Sequence, residues 1–311
     1  MENDISIVIP VYNSGTILMK LVEEIKKSFS DKQLEYEIIF VNDGSKDNSW
    51  DVLNRLTKNN DNIISINLLK NYGQHNAVFC GFHYITGKYV VTMDDDLQNP
   101  PSEIFKLYDK ITEGYDSVFG KFIKKQHSGI RKLGTKLIGF LNNKIFDKPS
   151  EINLTNFRII KKEVIERIIS YKTTYPYIPG LVLLFSDKIG NTLVEHKKRE
   201  EGKSNYNLIR ILKLTGTILF NYSSFPIRIV SIIGFIISFF SFLTGVVYIL
   251  RNIIVGIDVQ GWTTLVVLVS FIGGYIILML GMLGEYIGRL NKQMSAGKSF
   301  TVSEVLKSKN V

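Results

Sequence analysis

Cysteine is all but missing from this chain: one residue, Cys80, in 311 excludes both an intramolecular disulfide framework and a cysteine-rich zinc site. Neither Gly-x-Gly-x-x-Gly nor Gly-x-x-x-x-Gly-Lys-[Ser/Thr] occurs, so no dinucleotide-binding turn and no P-loop is indicated. There is no internal repeat and no low-complexity stretch. Met1-Glu2-Asn3-Asp4 runs directly into an apolar strand, so no cleaved leader is expected and the polar half is expected to face the cytoplasm. Acidic residues are outnumbered, 29 against 38 Lys+Arg for a net charge of +9, a balance that suits phosphorylated ligands, an anionic membrane surface or nucleic acid. No recognised nucleic-acid-binding motif accompanies it, and the positive charge crowds beside apolar segments, which argues against a nucleic-acid partner.

Charge disappears altogether in two places. Ile229 to Leu250 and Trp262 to Leu283 are free of charged residues, and each is about 22 residues, enough to cross a hydrocarbon core as a helix. The connection between them is short, so the expectation is a two-helix transmembrane hairpin. Lys197, Lys198, Arg199, Lys203, Arg210, Lys213 and Arg228 precede the first run and Arg289, Lys292, Lys298, Lys307 and Lys309 follow the second, whereas the loop holds only Arg251. By the positive-inside rule both termini are then cytoplasmic in a multi-pass protein of the cell membrane. The expected division is a catalytic unit over 1–225, the hairpin over 226–290 and a polar cytoplasmic tail over 291–311.

In the first unit, apolar strands at Ile5–Val11, Tyr36–Val41, Ile63–Leu68, Lys88–Met93 and Asp116–Gly120 alternate with helical spacing such as Leu18, Leu21, Val22, Ile25 and Phe29. That alternation predicts an α/β fold with a mostly parallel sheet and flanking helices. Val90-Val91-Thr92-Met93 ends in Asp94-Asp95-Asp96-Leu97-Gln98, followed at once by Asn99-Pro100-Pro101. Hard oxygen ligands on a rigid strand end can hold a divalent cation with positions left open for a diphosphate; an acidic turn is the plainer alternative. Asp43, Gln74 and Asp94 to Asp96 all fall at or just after strand ends, where ligands bind in such sheets. With no glycine-rich phosphate loop, a phosphate must be met by metal and basic side chains. Two basic amphipathic helices, Ile130–Phe146 and about Tyr206–Phe220, are expected at the membrane interface.

Taken together, Pro10-Val11-Tyr12-Asn13, Val41-Asn42-Asp43-Gly44-Ser45, Asn71-Tyr72-Gly73-Gln74 and Met93-Asp94-Asp95-Asp96-Leu97-Gln98-Asn99-Pro100-Pro101 resemble a family-2 glycosyltransferase of GT-A fold. Asn156-Phe157-Arg158, Lys198-Arg199-Glu200-Glu201-Gly202-Lys203-Ser204-Asn205-Tyr206, Phe225-Pro226-Ile227-Arg228 and Leu283-Gly284-Glu285-Tyr286-Ile287-Gly288-Arg289 narrow the resemblance to polyprenyl-phosphate glycosyltransferases. That group includes dolichol-phosphate mannose synthases, undecaprenyl-phosphate glucosyltransferases and undecaprenyl-phosphate aminoarabinose transferases.

The resemblance implies nucleotide contacts from Pro10, Tyr12, Asp43, Asp94 and Asp95, with Arg199 and Lys203 reaching the donor phosphates or closing over the site. It implies a Mg²⁺ or Mn²⁺ site at Asp94, Asp96 and Gln98, and Arg158 on the acceptor side of the cleft. Two departures from the family pattern stand out: Ser14 replaces a frequent Glu, and Lys121 and Lys124 stand where two arginines are usual. Lysine keeps the charge without the two-pronged geometry, and these two, with Arg131 nearby, are the expected acceptor-phosphate ligands. The implied reaction moves a sugar, most readily from a UDP-sugar, to undecaprenyl phosphate with inversion, in a homo-oligomer, plausibly a tetramer. A glycerolipid acceptor, or a membrane-tethered nucleotide-sugar sensor without turnover, are the alternatives.

Overall fold

The computed structural model describes residues 3–122, 129–197, 208–255, 261–295 and 299–308. The chain divides into two compact units, Met1–Leu212 with Ala296–Val311, and Lys213–Ser295. The first is built on β1 (Ile5–Val11), β2 (Tyr36–Asn42), β3 (Ile63–Leu68), β4 (Tyr89–Thr92), β5 (Ser117–Phe122), β6 (Arg158–Lys161), β7 (Ile189–Val194) and β8 (Val302–Leu306). Between them run α1 (Leu18–Phe29), α2 (Ser49–Lys58), α3 (Gln74–Gly81), α4 (Ile104–Thr112), α5 (Gly129–Phe146), α6 (Lys162–Ser170) and α7 (Ile178–Phe185).

The strands form one sheet in the order β7-β5-β6-β4-β1-β2-β3-β8. β1 pairs in parallel with β2 and β4, β2 with β3, and β5 with β7; β6 and β8 run the other way. β1 reads as almost unbroken apolar residues because helices cover a parallel sheet on both faces, and Ile5, Ile7, Val8, Ile9 and Val11 are all fully buried. α1 buries Leu18, Leu21, Val22, Ile25 and Phe29 and turns Lys20, Glu23 and Lys27 outward, the stripe its 3.6-residue spacing dictates. Each such side chain removed from water stabilises the fold by about 1.5–3 kcal/mol.

β1 lies between β4, later in the chain, and β2, its immediate successor, so the order of connection reverses there. Ligands bind beyond the carboxyl ends of strands at that reversal. The register sets Val11 opposite Asn42 and Val8 opposite Thr92, which brings the loops after β1, β2 and β4 to one edge.

The sheet also holds strands the apolar pattern alone left unassigned. β6 inserts antiparallel between β4 and β5, and β7 forms the far edge. Residues 302–306, expected as part of a polar tail, instead form β8, antiparallel to β3. The correction has a simple origin: Phe300 is buried, and the short strand that follows closes the edge that β3 would otherwise present to solvent.

The second unit contains most of α8 (Leu208–Tyr222) and all of α9 (Phe225–Val255) and α10 (Trp262–Ser295). Tyr275 Oη of α10 donates to the Val230 carbonyl of α9, Tyr286 Oη donates to the Ser223 carbonyl (3.1 Å), and the Arg289 guanidinium donates to Asn221 Oδ1 (3.0 Å). Partner numbers fall as α10 advances, so it runs antiparallel to the chain it packs against. Among the described residues one helical stretch, Phe271–Asn291, is long and apolar enough to cross a membrane. Thr215–Tyr222 with Phe225–Ile237, bent by 72°, passes the same test as a pair.

Candidate active site

These three loops and the one after β3 meet around a cleft of about 490 Å³ lined by Pro10, Val11, Tyr12, Ser14, Asp43, Asn71, Gly73, Gln74 and Asp94 to Asp96, a size that suits a small-molecule ligand. Of the expected nucleotide contacts, Pro10, Tyr12, Asp43, Asp94 and Asp95 are all brought to this one cleft. Tyr12 is 44% exposed, its ring available at the rim.

Backbone geometry shapes the walls. Asn13 has φ +54°, and its side chain holds the loop by accepting from the Lys46 amide (2.8 Å) while its own N–H donates to Ser45 Oγ (2.9 Å). Gly44 has φ +65°, and a Cβ there would lie 2.6 Å from the Asn71 nitrogen; only glycine permits both the turn and the approach. Leu97, immediately after the carboxylates, has φ +54°. For a non-glycine residue this is a strained conformation, and it turns the chain away so that three consecutive aspartates stay at the strand end.

Asp43 is 3% exposed and accepts from the Tyr72 and Gly73 amides at 2.7 and 2.8 Å. Burial nevertheless pushes its carboxyl up to about 6, the two amides offsetting part of the effect. Asp94 accepts from Gln74 Nε2 (2.5 Å) and Asn156 Nδ2 (3.4 Å). Its carboxyl is also raised to about 6, first by burial and then by the Asp96 charge, against the pull of Asn156, Arg158 and Gln74. Asp95 rises to about 6 by burial and by repulsion from Asp94 and Asp96, with a Ser14 hydrogen bond opposing. Asp96 Oδ1 accepts from the Gln98 amide at 3.2 Å.

Gln74 is expected at the ligand end of the sheet, whereas Asn156 is quoted above only as part of a motif. Their amide groups beside a carboxylate row were the readable signal, because neutral donors are what a crowded acidic edge needs.

Arg158 lies beneath this row, 1% exposed, opposite Thr92 in the β4–β6 pairing. Its Nε donates to Thr92 Oγ1 (3.0 Å), whose hydroxyl donates to the Asn156 carbonyl (2.6 Å). Burial lowers its guanidinium to about 10, opposed by Asp94 and Tyr177. Beside it His75 is lowered to about 4 by burial and by the Arg158 charge, so it is neutral near pH 7.

Gln98 stands at the margin: its Nε2 donates to the Lys197 carbonyl (3.3 Å) and its own carbonyl accepts from the Lys197 amide (2.8 Å). Lys121 is exposed on β5. Lys124, Arg199 and Lys203 lie outside the described residues, as does the side chain of Arg131.

Among the described residues no group of three or more His, Cys, Asp or Glu side chains is arranged to hold a metal ion. A hard cation such as Mg²⁺ does not need such a group, since it is usually held by one or two carboxylates, water and substrate phosphates. Asp95 Oδ2 is buried without a hydrogen-bond partner, next to two further carboxylates. An all-oxygen set with an unpaired buried anionic atom fits a divalent cation.

The mostly parallel α/β sheet, with an acidic row at its switch point and a buried carboxylate on the neighbouring loop, is of the GT-A class of folds. Solved glucosyl-3-phosphoglycerate synthase from Mycobacterium tuberculosis, in complex with Mn²⁺, uridine diphosphate and glucosyl-3-phosphoglycerate, shares the GT-A fold at TM-score 0.52 and 16% identity, over 70% of this chain and 77% of that one. The description of glycosyl transferase family 2 matches residues 6–169, and the chain belongs to that family.

Curated relatives extend the likeness beyond the sheet. The undecaprenyl-phosphate 4-deoxy-4-formamido-L-arabinose transferase of Proteus mirabilis is 34% identical over 98% of this chain and 94% of its own length. Its namesake from Serratia proteamaculans is 33% identical over 97% and 94%.

Proposed function

We propose that this protein transfers a sugar from a nucleotide sugar of the UDP class to undecaprenyl phosphate, or a like polyprenyl phosphate, at the cytoplasmic face of the cell membrane. The observation that carries the reading is the convergence of Asp43 and Asp94 to Asp96 on one cleft at the sheet's switch point. Near-full-length likeness to transferases named for undecaprenyl phosphate supports the acceptor.

In this reading Asp43 accepts an N–H of the nucleobase, Tyr12 and Pro10 bracket the base, and Asp94 to Asp96 with Gln98 face the diphosphate. Asp94 and Asp96 would hold Mg²⁺ or Mn²⁺, which when bound supplies charge neutralisation to the leaving diphosphate. Arg199 and Lys203 add positive charge on the donor side. Lys121, with Lys124 and Arg131, draws in the acceptor phosphate. Arg158 works from below: its buried charge and its hydrogen bond to Thr92 steady the Asp94 end of the row.

A phosphate monoester with a second pKa of about 6 is already largely dianionic near pH 7, so no strong general base is required. The acceptor oxygen attacks the anomeric carbon as the carbon–oxygen bond to the diphosphate breaks, which inverts that centre. The chain's work is to hold two anions together and in line. The long helices α9 and α10 keep the active unit beside the lipid acceptor, as a homo-oligomer.

Incubation with a panel of nucleotide sugars, UDP-4-deoxy-4-formamido-L-arabinose among them, and undecaprenyl phosphate tests this. One donor is expected to give a mild-acid-labile glycolipid, and EDTA is expected to abolish it. UDP binding with no lipid product from any donor would remove the acceptor assignment.

A further inference from the structure

The wall of the cleft that carries Asn71, Gly73 and Gln74 is a short loop between β3 and α3. Its β3 end, and the helix that follows it, rest on a segment far away in sequence. At the β3 end, the Leu69 amide donates to the Thr301 carbonyl (3.0 Å), continuing the β3–β8 pairing past Leu68 and Val302. Farther on, the last turn of α3 is held as well: Phe300 is 6% exposed and meets Phe79 of α3 and His83 just after it edge-on, with ring centres 6.4 and 5.7 Å apart. His83 is itself tied through Nδ1 to the Phe79 carbonyl at 2.9 Å. Between these contacts the loop gives the Tyr72 and Gly73 backbone amides to Asp43, and the side-chain Nε2 of Gln74, the first residue of α3, donates to Asp94.

We infer that Phe300, Thr301 and the strand they open are positioning residues for the donor: they touch no substrate, but fix the loop that aims Asp43 and Asp94 into the cleft. This rests on the donor-site reading above. The loop's α3 side is closed by α3 itself, with Asn76 Nδ2 on the Tyr72 carbonyl (2.8 Å) and the Asn76 and Ala77 amides on the Gly73 carbonyl, so its β3 end and the seat of α3 decide where its amides point. If those anchors are lost, the amides that hold Asp43 shift, and the cost falls on nucleotide binding. The acceptor side, on β5 beyond β4 and β6, does not border this segment in the sheet.

The test uses the full-length protein in detergent with Mn²⁺. UDP affinity is measured by titration calorimetry, with donor and acceptor KM from steady-state transfer, for wild type, a deletion of residues 299–311, Phe300→Ala and Phe300→Leu. The deletion is expected to weaken UDP binding and raise donor KM about tenfold or more, the scale on which small misplacements act. Acceptor KM is expected to stay within about twofold, and a synthetic peptide of residues 299–308 to restore UDP binding.

Phe300→Ala is expected to fall between deletion and wild type, and Phe300→Leu to return most of the affinity. Should the deletion fail to fold, this pair decides. A folded deletion or Phe300→Ala protein that binds UDP like wild type overturns the inference, as does an equal rise in donor and acceptor KM. A wild type that binds no UDP overturns the donor-site reading and this inference with it.

Discussion

Strand β2 carries a buried carboxylate near each end, and the two are put to opposite uses. Glu37 and Asp43 are 5% and 3% exposed. Glu37 Oε1 accepts from Ser6 Oγ (2.5 Å), the Thr86 amide (2.6 Å) and Thr86 Oγ1 (2.8 Å), all groups of the sheet unit itself. It fastens β1, β2 and the turn before β4. Asp43 receives two backbone amides and faces the cleft. The same pattern separates the two ends of the sheet as a whole. The amino-terminal end is closed by hydrogen bonds, whereas the carboxyl-terminal end gathers carboxylates, left-handed residues and open volume. A buried carboxyl group whose hydrogen bonds all come from its own chain ties strands together, and one held beside a cavity is poised for a ligand.

Substitutions at the two ends should separate function from stability. Asp96→Ala, at the open end, is expected to reduce kcat/KM for sugar transfer by about 10³-fold, with a melting temperature close to wild type. Asp43→Asn is expected to raise donor KM by about 10- to 100-fold with kcat less affected, since it weakens a charged hydrogen bond worth about 1.5–3 kcal/mol.

The pH dependence follows from the raised carboxyl of Asp43, about 6 in the folded protein against 3.8 as reference. The folded state holds the proton more tightly, so this contribution to stability is fully present below the unfolded value and is lost as pH rises through about 6. Donor binding needs the ionised acceptor and runs the other way. Between pH 7 and 5, UDP affinity should fall about tenfold by calorimetry, and Asp43→Asn should flatten Asp43's share of that slope. A slope unchanged in the variant would assign it elsewhere.

Glu37→Ala, at the closed end, completes the contrast. It leaves the Thr86 amide with only the longer contact to Ser6 Oγ (3.3 Å), so a loss of about 1–3 kcal/mol in denaturant unfolding is expected, with donor KM within about twofold. A large donor KM effect there would erase the distinction between the ends.

Much of this was legible before any coordinates. Ile5–Val11 and Ile63–Leu68 match β1 and β3 residue for residue, because strands buried on both faces are written as continuous apolar runs. The carboxylate row was visible because charge at the end of such a run has no packing role. Arg158 read as a residue of the cleft, yet its side chain is buried beneath Asp94. Nothing local distinguishes a guanidinium that reaches a ligand from one that reaches a neighbouring strand. β8 was missed for a related reason: Val302-Ser303-Glu304-Val305-Leu306 is short and partly polar, and its partner β3 lies more than two hundred residues earlier. Edge strands need cover only one face, so their hydrophobic signal is weak.

That late strand constrains the helices before it by parity. The chain leaves the sheet unit after Leu212 and re-enters it at Ala296, where β8 hydrogen-bonds to β3. A segment that starts and finishes in one body on one side of a bilayer crosses it an even number of times. If the sheet unit lies wholly on one side of a membrane, a traverse by Phe271–Asn291 calls for a second traverse between Lys213 and Ser295.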